Sequence, residues 1–355
     1  MSELYITGVG AVSPQKTFDN SRFLNEIVNT ETLQLRSVDP NYKDFVSPDM
    51  IRRMSKIIKM GIAAGTICLH DAGCTMPDAI ISGTGFGCIE DTEKFLSTMI
   101  RNKEELLTPT SFIQSTHNTV SAQIALLLKC HSYNFTYVHR GASFESALLD
   151  TMIRIGDGLS GTVLLGGLDE LTGHSFRILQ RLGHWKRKPV NNMDLFNEKT
   201  RGTIAGEGAA FFLVSSKPGA KNYARIAGLD LFTKPAGQEF IEKRISDFLG
   251  GHGMTIGDLD LIITGRNSDP YHDQIFDALD ASLFNTVPQA CFKHLCGEYM
   301  TSSAFALWLS CMILKNQVIP EACKWNPLVP GKLKNILIWN HYRNFNYSLI
   351  LLKNA

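Results

Sequence analysis

The sequence predicts an α/β fold, on three observations. Apolar runs of strand length alternate with stretches of helical periodicity along the chain. Several of the strand-like runs open into glycines, as strands do where a loop turns over the end of a sheet. One six-residue pattern occurs twice, as Asp78-Ala-Ile-Ile-Ser-Gly and as Asp260-Leu-Ile-Ile-Thr-Gly, each after a helical stretch.

In chain order, Ile6-Thr-Gly-Val-Gly reads as a strand closing on glycines. Residues 54–72 carry Ile57, Met60, Ile62, Ala64, Ile67 and Leu69 at helical spacing. The run from Asp78 is a buried strand opening into a glycine loop, and 120–128 is helical. Residues 135–138 form a short strand that enters an amphipathic helix at His139. Thr162-Val-Leu-Leu-Gly-Gly and Ala209-Ala-Phe-Phe-Leu-Val are further strands, and 304–314 is a core helix. The repeated pattern is either chance or a duplicated α/β unit whose halves, 1–218 and 219–355, meet near Lys217-Pro-Gly-Ala220.

At 355 residues and net charge +1, with 44% hydrophobic and 19% charged residues, the chain has the balance of an ordinary globular protein. No affinity for nucleic acid or a membrane surface is expected from that balance. No apolar run reaches the roughly 20 residues a membrane helix needs. The opening is strand-like rather than a signal peptide, so a cytoplasmic location is expected. Cys68, Cys74, Cys88, Cys130, Cys291, Cys296, Cys311 and Cys323 are scattered without metal-knuckle spacing, and are expected to be reduced and mostly buried. Cys291-Phe-Lys-His-Leu-Cys296 is too irregular for a metal site; no metal and no cofactor are expected.

Five segments in a shared order resemble the β-ketoacyl-acyl carrier protein synthases nearly end to end. They are Ile6-Thr-Gly-Val-Gly; Arg52-Arg53-Met54-Ser55 with the helix to Asp71-Ala-Gly73; Ser82-Gly-Thr-Gly-Phe-Gly87; Gly166-Gly167 with Asp169-Glu170; and Arg201-Gly202 through Gly206-Glu207-Gly208-Ala209. The resemblance implies the thiolase fold, two similar α/β halves with mixed five-stranded sheets layered between helices. It also implies a chemistry: a cysteine at a helix N-terminus holds the acyl chain as a thioester, and two histidines stabilise the enolate left when malonyl-carrier loses carbon dioxide.

None of those three groups is present. Spacing back from Gly156-Asp157 puts His139 at the cysteine position. Gly265 replaces the first histidine and Glu298 the second, while Lys293 matches a family lysine. Asn340 to Tyr347 stands where the family has a glycine-rich gating turn, and reads as shorter. A glycine offers no donor, and an ionised carboxylate repels an enolate. His139 is expected to be a hydrogen-bonded filler of a vestigial pocket rather than a nucleophile or base, and Ser143 a helix N-terminal hydroxyl rather than a hydrolase serine.

By the same resemblance, Phe112, Ile113, His117 and Gln123 are candidates for a dimer interface reaching a partner's acyl tunnel. The alternative is that Phe112 and Ile113 fill this chain's own core. Lys186-Arg187-Lys188 is a candidate docking patch for an acidic carrier protein, or simply a solvated loop. The leading expectation is a catalytically silent chain-length-factor-type subunit, paired with an active ketosynthase in a fatty acid, polyketide or aryl-polyene type of system. The alternatives are a decarboxylase or acyltransferase with a non-standard site, as in relatives whose cysteine is glutamine, and a homodimeric carrier-binding scaffold.

Overall fold

The fold is built from ten principal strands and eight principal helices, seen in a computed structural model that describes residues 3–105 and 107–355. The first set of strands is β1 (Leu4–Val12), β2 (Ala79–Gly83), β3 (Tyr133–Tyr137), β4 (Thr162–Asp169) and β5 (Gly208–Ser215). The second is β6 (Ala224–Thr233), β7 (Leu261–Thr264), β8 (Gln289–Cys291), β9 (Asn335–Tyr342) and β10 (Asn346–Lys353).

Across the sheet the order is β8-β7-β9-β10-β6-β1-β5-β4-β2-β3. Ranked by chain order, both sets read 3-2-4-5-1. In each, the fifth strand runs antiparallel to both neighbours and the second runs parallel to both of its own. The sets meet through a short antiparallel ladder, Leu4 opposite Ile226 to Ile6 opposite Ala224. These are the two similar mixed five-stranded halves expected above.

The repeated sequence pattern has a physical cause. Asp78 and Asp260 immediately precede the equivalent strands β2 and β7. Asp78 Oδ2 accepts from the amides of Gly161 (2.9 Å) and Thr162 (2.8 Å), at the start of β4. Asp260 Oδ2 accepts from Lys334 and Asn335 (2.8 Å each), at the start of β9. The same carboxylate thus secures the neighbouring parallel strand in both halves, giving otherwise unpaired amides an acceptor.

Helices α4 (Ser143–Gly156) and α8 (Ser303–Asn316) lie between the halves, and α8 is buried from Ser303 to Leu314. The main core joins α4 and α8 to both sets of strands, through Phe144, Leu165, Phe212, Trp308, Ile338 and Ile350 among others. Outside the first set lie α1 (Lys56–Ala72) and α3 (Thr119–Leu128), the latter following α2 (Ile89–Arg101). The strand does not close on Gly8 and Gly10 but runs on to Val12, and the glycines are required within it: a Cβ at Gly8 or Gly10 would meet the backbone of α1. Helix α5 (Gly173–Arg181) follows β4, and α6 (Gln238–Gly251) and α7 (Pro270–Ala281) cover the second set from outside. Among the described residues, no helix is long and apolar enough to cross a membrane.

Candidate functional site

Strand β3 runs through Val138 into a one-turn 3-10 segment, Arg140–Ala142, and then into α4. Ser143 Oγ closes this turn, accepting from the His139 amide (2.8 Å) and donating to Arg140 O (2.7 Å). It is the helix N-terminal hydroxyl expected. Arg140 takes a left-handed φ of 53°, a conformation that costs a non-glycine residue some free energy. The His139 ring does not fill a pocket of this chain. It is exposed, hydrogen-bonded through Nδ1 to Ser146 Oγ (2.9 Å), with its edge toward Tyr137 at 5.9 Å between centroids.

Tyr342 closes the space behind the turn. Its ring lies where a Cβ on Gly141 would fall, so residue 141 must be glycine while tyrosine stands there. Arg343 and Asn344 follow at φ 55° and 53°, and β9 and β10 stay paired up to Tyr342 opposite Asn346. What remains between Tyr342, Glu298, Met300, Phe86 and Asp169 is a cavity of about 30 Å³. That is room for about one or two waters, too little for an acyl thioester.

Glu298 does not stand as a free carboxylate. Lys293 Nζ donates to its Oε2 at 2.7 Å and Asn267 Nδ2 to the same oxygen at 2.9 Å, all three side chains buried. The lysine and the carboxylate satisfy each other. Gly265 is forced by Asn340, whose side-chain oxygen occupies the place of any Cβ at 265. Arg266, buried, turns outward to Asp277 (2.5 Å) and Asp280, its guanidinium over the Trp325 ring at 4.4 Å.

Two histidines that sequence reading did not assign stand beside this ion pair. His341 Nε2 donates to His272 O (3.0 Å), and its Nδ1 accepts from Asn344 N (3.3 Å), so both ring nitrogens are used by backbone. His272 lies 3.6 Å from Asp269. Burial holds both imidazoles below their ordinary pKa, and so neutral. The nearby thiol of Cys296 is fully buried, donates to Gly297 O, and is pushed well up by that burial. It is a packed thiol, not a thiolate. Only the fold brings positions 272 and 341 together, and no sequence signal marks them.

Phe112 and Ile113 do not fill this chain's core: they are 57% and 62% exposed. Phe112 packs on Phe95 of α2 at 5.5 Å between centroids, with Leu96 and Ile100 also exposed on that helix. His117 is exposed and lies over Gly87; Gln123 is half-buried on α3.

The basic segment divides. Lys186 is 1% exposed and its ammonium is spent on Glu198 O (2.8 Å), Thr200 O (2.9 Å) and Ser268 O (3.3 Å), so it cannot dock a partner. Burial holds it below the usual lysine value. Arg187 and Lys188 are exposed, and with Arg201 they line an open groove of about 710 Å³. All eight cysteines are free, and all but Cys74 are buried. Among the described residues no group of three His, Cys, Asp or Glu side chains is arranged to hold a metal.

The family model of the β-ketoacyl synthase N-terminal domain matches residues 7–220. No curated protein matches the chain. The ishigamide ketosynthase/chain length factor superposes with a TM-score of 0.81 at 18% identity, over 100% of this chain and 99% of that one. A ketosynthase in complex with its chain length factor from Xenorhabdus doucetiae gives 0.79 at 15%, over 100% and 98%. A type II polyketide ketosynthase in complex with its acyl-carrier protein gives 0.77 at 14%, over 100% of both. At such identities the likeness establishes the fold, which is the thiolase fold.

Proposed function

The chain belongs to the β-ketoacyl synthase family, and we propose that within it the chain acts as a chain-length-factor-type subunit that pairs with a cysteine-bearing ketosynthase and does no chemistry alone. The observation that carries this reading is the filled site. A ketosynthase needs a thiolate at the strand-to-helix turn, two imidazole donors facing it, and room for an acyl thioester. Here the turn presents an outward imidazole, Tyr342 and the Lys293–Glu298 pair occupy the interior, and about 30 Å³ is left.

In this reading the acyl chain stays on the partner and on the carrier protein. The solved relatives that are ketosynthase/chain length factor pairs, and the one holding an acyl-carrier protein, support these kinds of partner. Strand β3, at the sheet edge among exposed apolar side chains, is the surface we assign to the partner subunit. Phe112 and Ile113, exposed together on the segment before α3, are the candidates for the wall of the partner's tunnel. His117 and Gln123 are candidates for the rim of that interface. The groove carrying Arg187, Lys188 and Arg201 suits an acidic carrier by charge.

Co-expression with a cysteine-bearing ketosynthase from the same genome tests the reading. A stable one-to-one complex that condenses malonyl-carrier, while this chain alone releases no carbon dioxide, is the expected result. Decarboxylation by the pure chain would favour an enzyme with a non-standard site. A stable assembly with carrier protein but no ketosynthase would favour a scaffold.

A further inference from the structure

Strand β3 ends the sheet and is paired on one side only, to β2. Such edges are ordinarily blunted by a lysine, a proline or a bulge. Tyr-Asn-Phe-Thr-Tyr contains neither residue, and its register with β2 is unbroken. Phe135 and Val138, Leu126 and Leu127 of α3, and Leu149 and Ile153 of α4 are exposed around it. The edge is suited to strand addition by another polypeptide.

The flanks of this strand carry a cation at each end. Lys129 precedes it and Arg140 follows it, and both are exposed. The acids on the neighbouring elements are engaged or distant. Asp150 Oδ2 accepts from the Tyr133 hydroxyl (3.1 Å), and the Arg154 guanidinium lies over the Tyr133 ring at 3.7 Å. Glu145 faces inward to Ser348, Asp78 is taken by Gly161 and Thr162, and Asp157 caps the far end of α4. Strand β2 and helix α3 carry no charged residue.

When two copies of a strand pair antiparallel about a two-fold axis, the residues before it in one copy stand opposite those after it in the other. Arg140 would then face Lys129 at both ends of every self-paired dimer. Like charges brought opposite one another at the ends of a ladder are destabilising. We infer that this edge is set against self-pairing and selects a partner strand flanked by carboxylates, with Lys129 and Arg140 determining specificity. The inference rests on the pairing surface assigned above and adds which polypeptide it accepts.

Sedimentation velocity of the purified chain at roughly 10 mM salt, where screening is weak, reads this directly. The wild type is expected to be monomeric. Lys129→Glu sets a carboxylate opposite Arg140 at both ends and is expected to self-associate at least tenfold more tightly. Adding Arg140→Glu makes both flanks acidic and is expected to restore the monomer, and Phe135→Asp in the Lys129→Glu background is expected to do the same. A wild type that dimerises as tightly as Lys129→Glu overturns the inference. So does a folded Lys129→Glu variant, judged by circular dichroism, that stays monomeric, or a dimer that survives Phe135→Asp. No ketosynthase is present in these measurements, so the outcomes separate: a ketosynthase that fails to bind defeats the function proposed above, whereas a wild-type homodimer defeats this one.

Discussion

Glu298 and Lys293 form a structural pair where the family resemblance implies a catalytic histidine. The Glu298 carboxylate has an ammonium 2.7 Å away and an amide donor at 2.9 Å, all buried. Removing one member of a buried pair leaves the other uncompensated, at a cost of about 3–5 kcal/mol. Glu298→His is therefore expected to lower unfolding stability by that order in urea titration and to confer no malonyl-carrier decarboxylation. A second buried acid responds to pH. Glu170 accepts from the amides of Glu90 (3.0 Å) and Ile57 (3.3 Å), and burial pushes its carboxyl up to about 8. Between the unfolded value near 4.5 and that folded value, the native state binds the proton and the unfolded chain does not, so this contribution is present at low pH and lost as pH rises to 8. Glu170→Gln, which mimics the protonated acid, is expected to gain about 1 kcal/mol or more over the wild type between pH 5 and pH 8. Denaturant midpoints at the two pH values check it; a difference constant with pH would contradict the assignment.

Strands β1, β2, β4 and β5 were legible as elements because they are buried apolar runs, α1 and α3 because their apolar residues recur at helical spacing, and α8 as a continuous apolar run. The repeated hexapeptide was legible as a pattern, but its cause lay 83 and 74 residues away, at the amides that Asp78 and Asp260 accept from. Each carboxylate serves one exposed and one half-buried amide. Asp78→Ala and Asp260→Ala are expected to cost similar amounts, about 0.5–1.5 kcal/mol per hydrogen bond lost, and thermal unfolding of both variants would show whether the two are equivalent. The short helix Pro109–Gln114 raises the same point for function. The sequence showed Phe112 and Ile113 as apolar; only the fold shows that both stay largely exposed. If they wall the partner's tunnel, Phe112→Ala lengthens the products of the assembled complex, which product mass spectra would detect; an unchanged distribution would remove Phe112 from that role.

Over the whole molecule, composition, the order of the strand and helix runs, and the five family-like segments carried the fold class and the family. The positions 139, 265 and 298 were singled out only through the resemblance to the family. What was not legible is what fills the space they leave. Tyr342 against Gly141 depends on the two halves meeting, and Asn340 against Gly265 and the His272–His341 contact depend on β9 packing beside β7 and α7 within the second half. The fate of Lys186 depends on a loop from the second half supplying Ser268 O. We propose that the halves divide at 218/219, in the turn between β5 and β6, since the strand order repeats across that point.

Intact-protein mass spectrometry would test the missing nucleophile most directly. This chain and a cysteine-bearing ketosynthase partner would be incubated, separately and together, with acyl-carrier protein. The mass of an acyl group is expected on the ketosynthase alone, with and without this chain present. An acyl adduct on this chain, located by fragmentation to His139, Ser143 or any cysteine, would contradict the account.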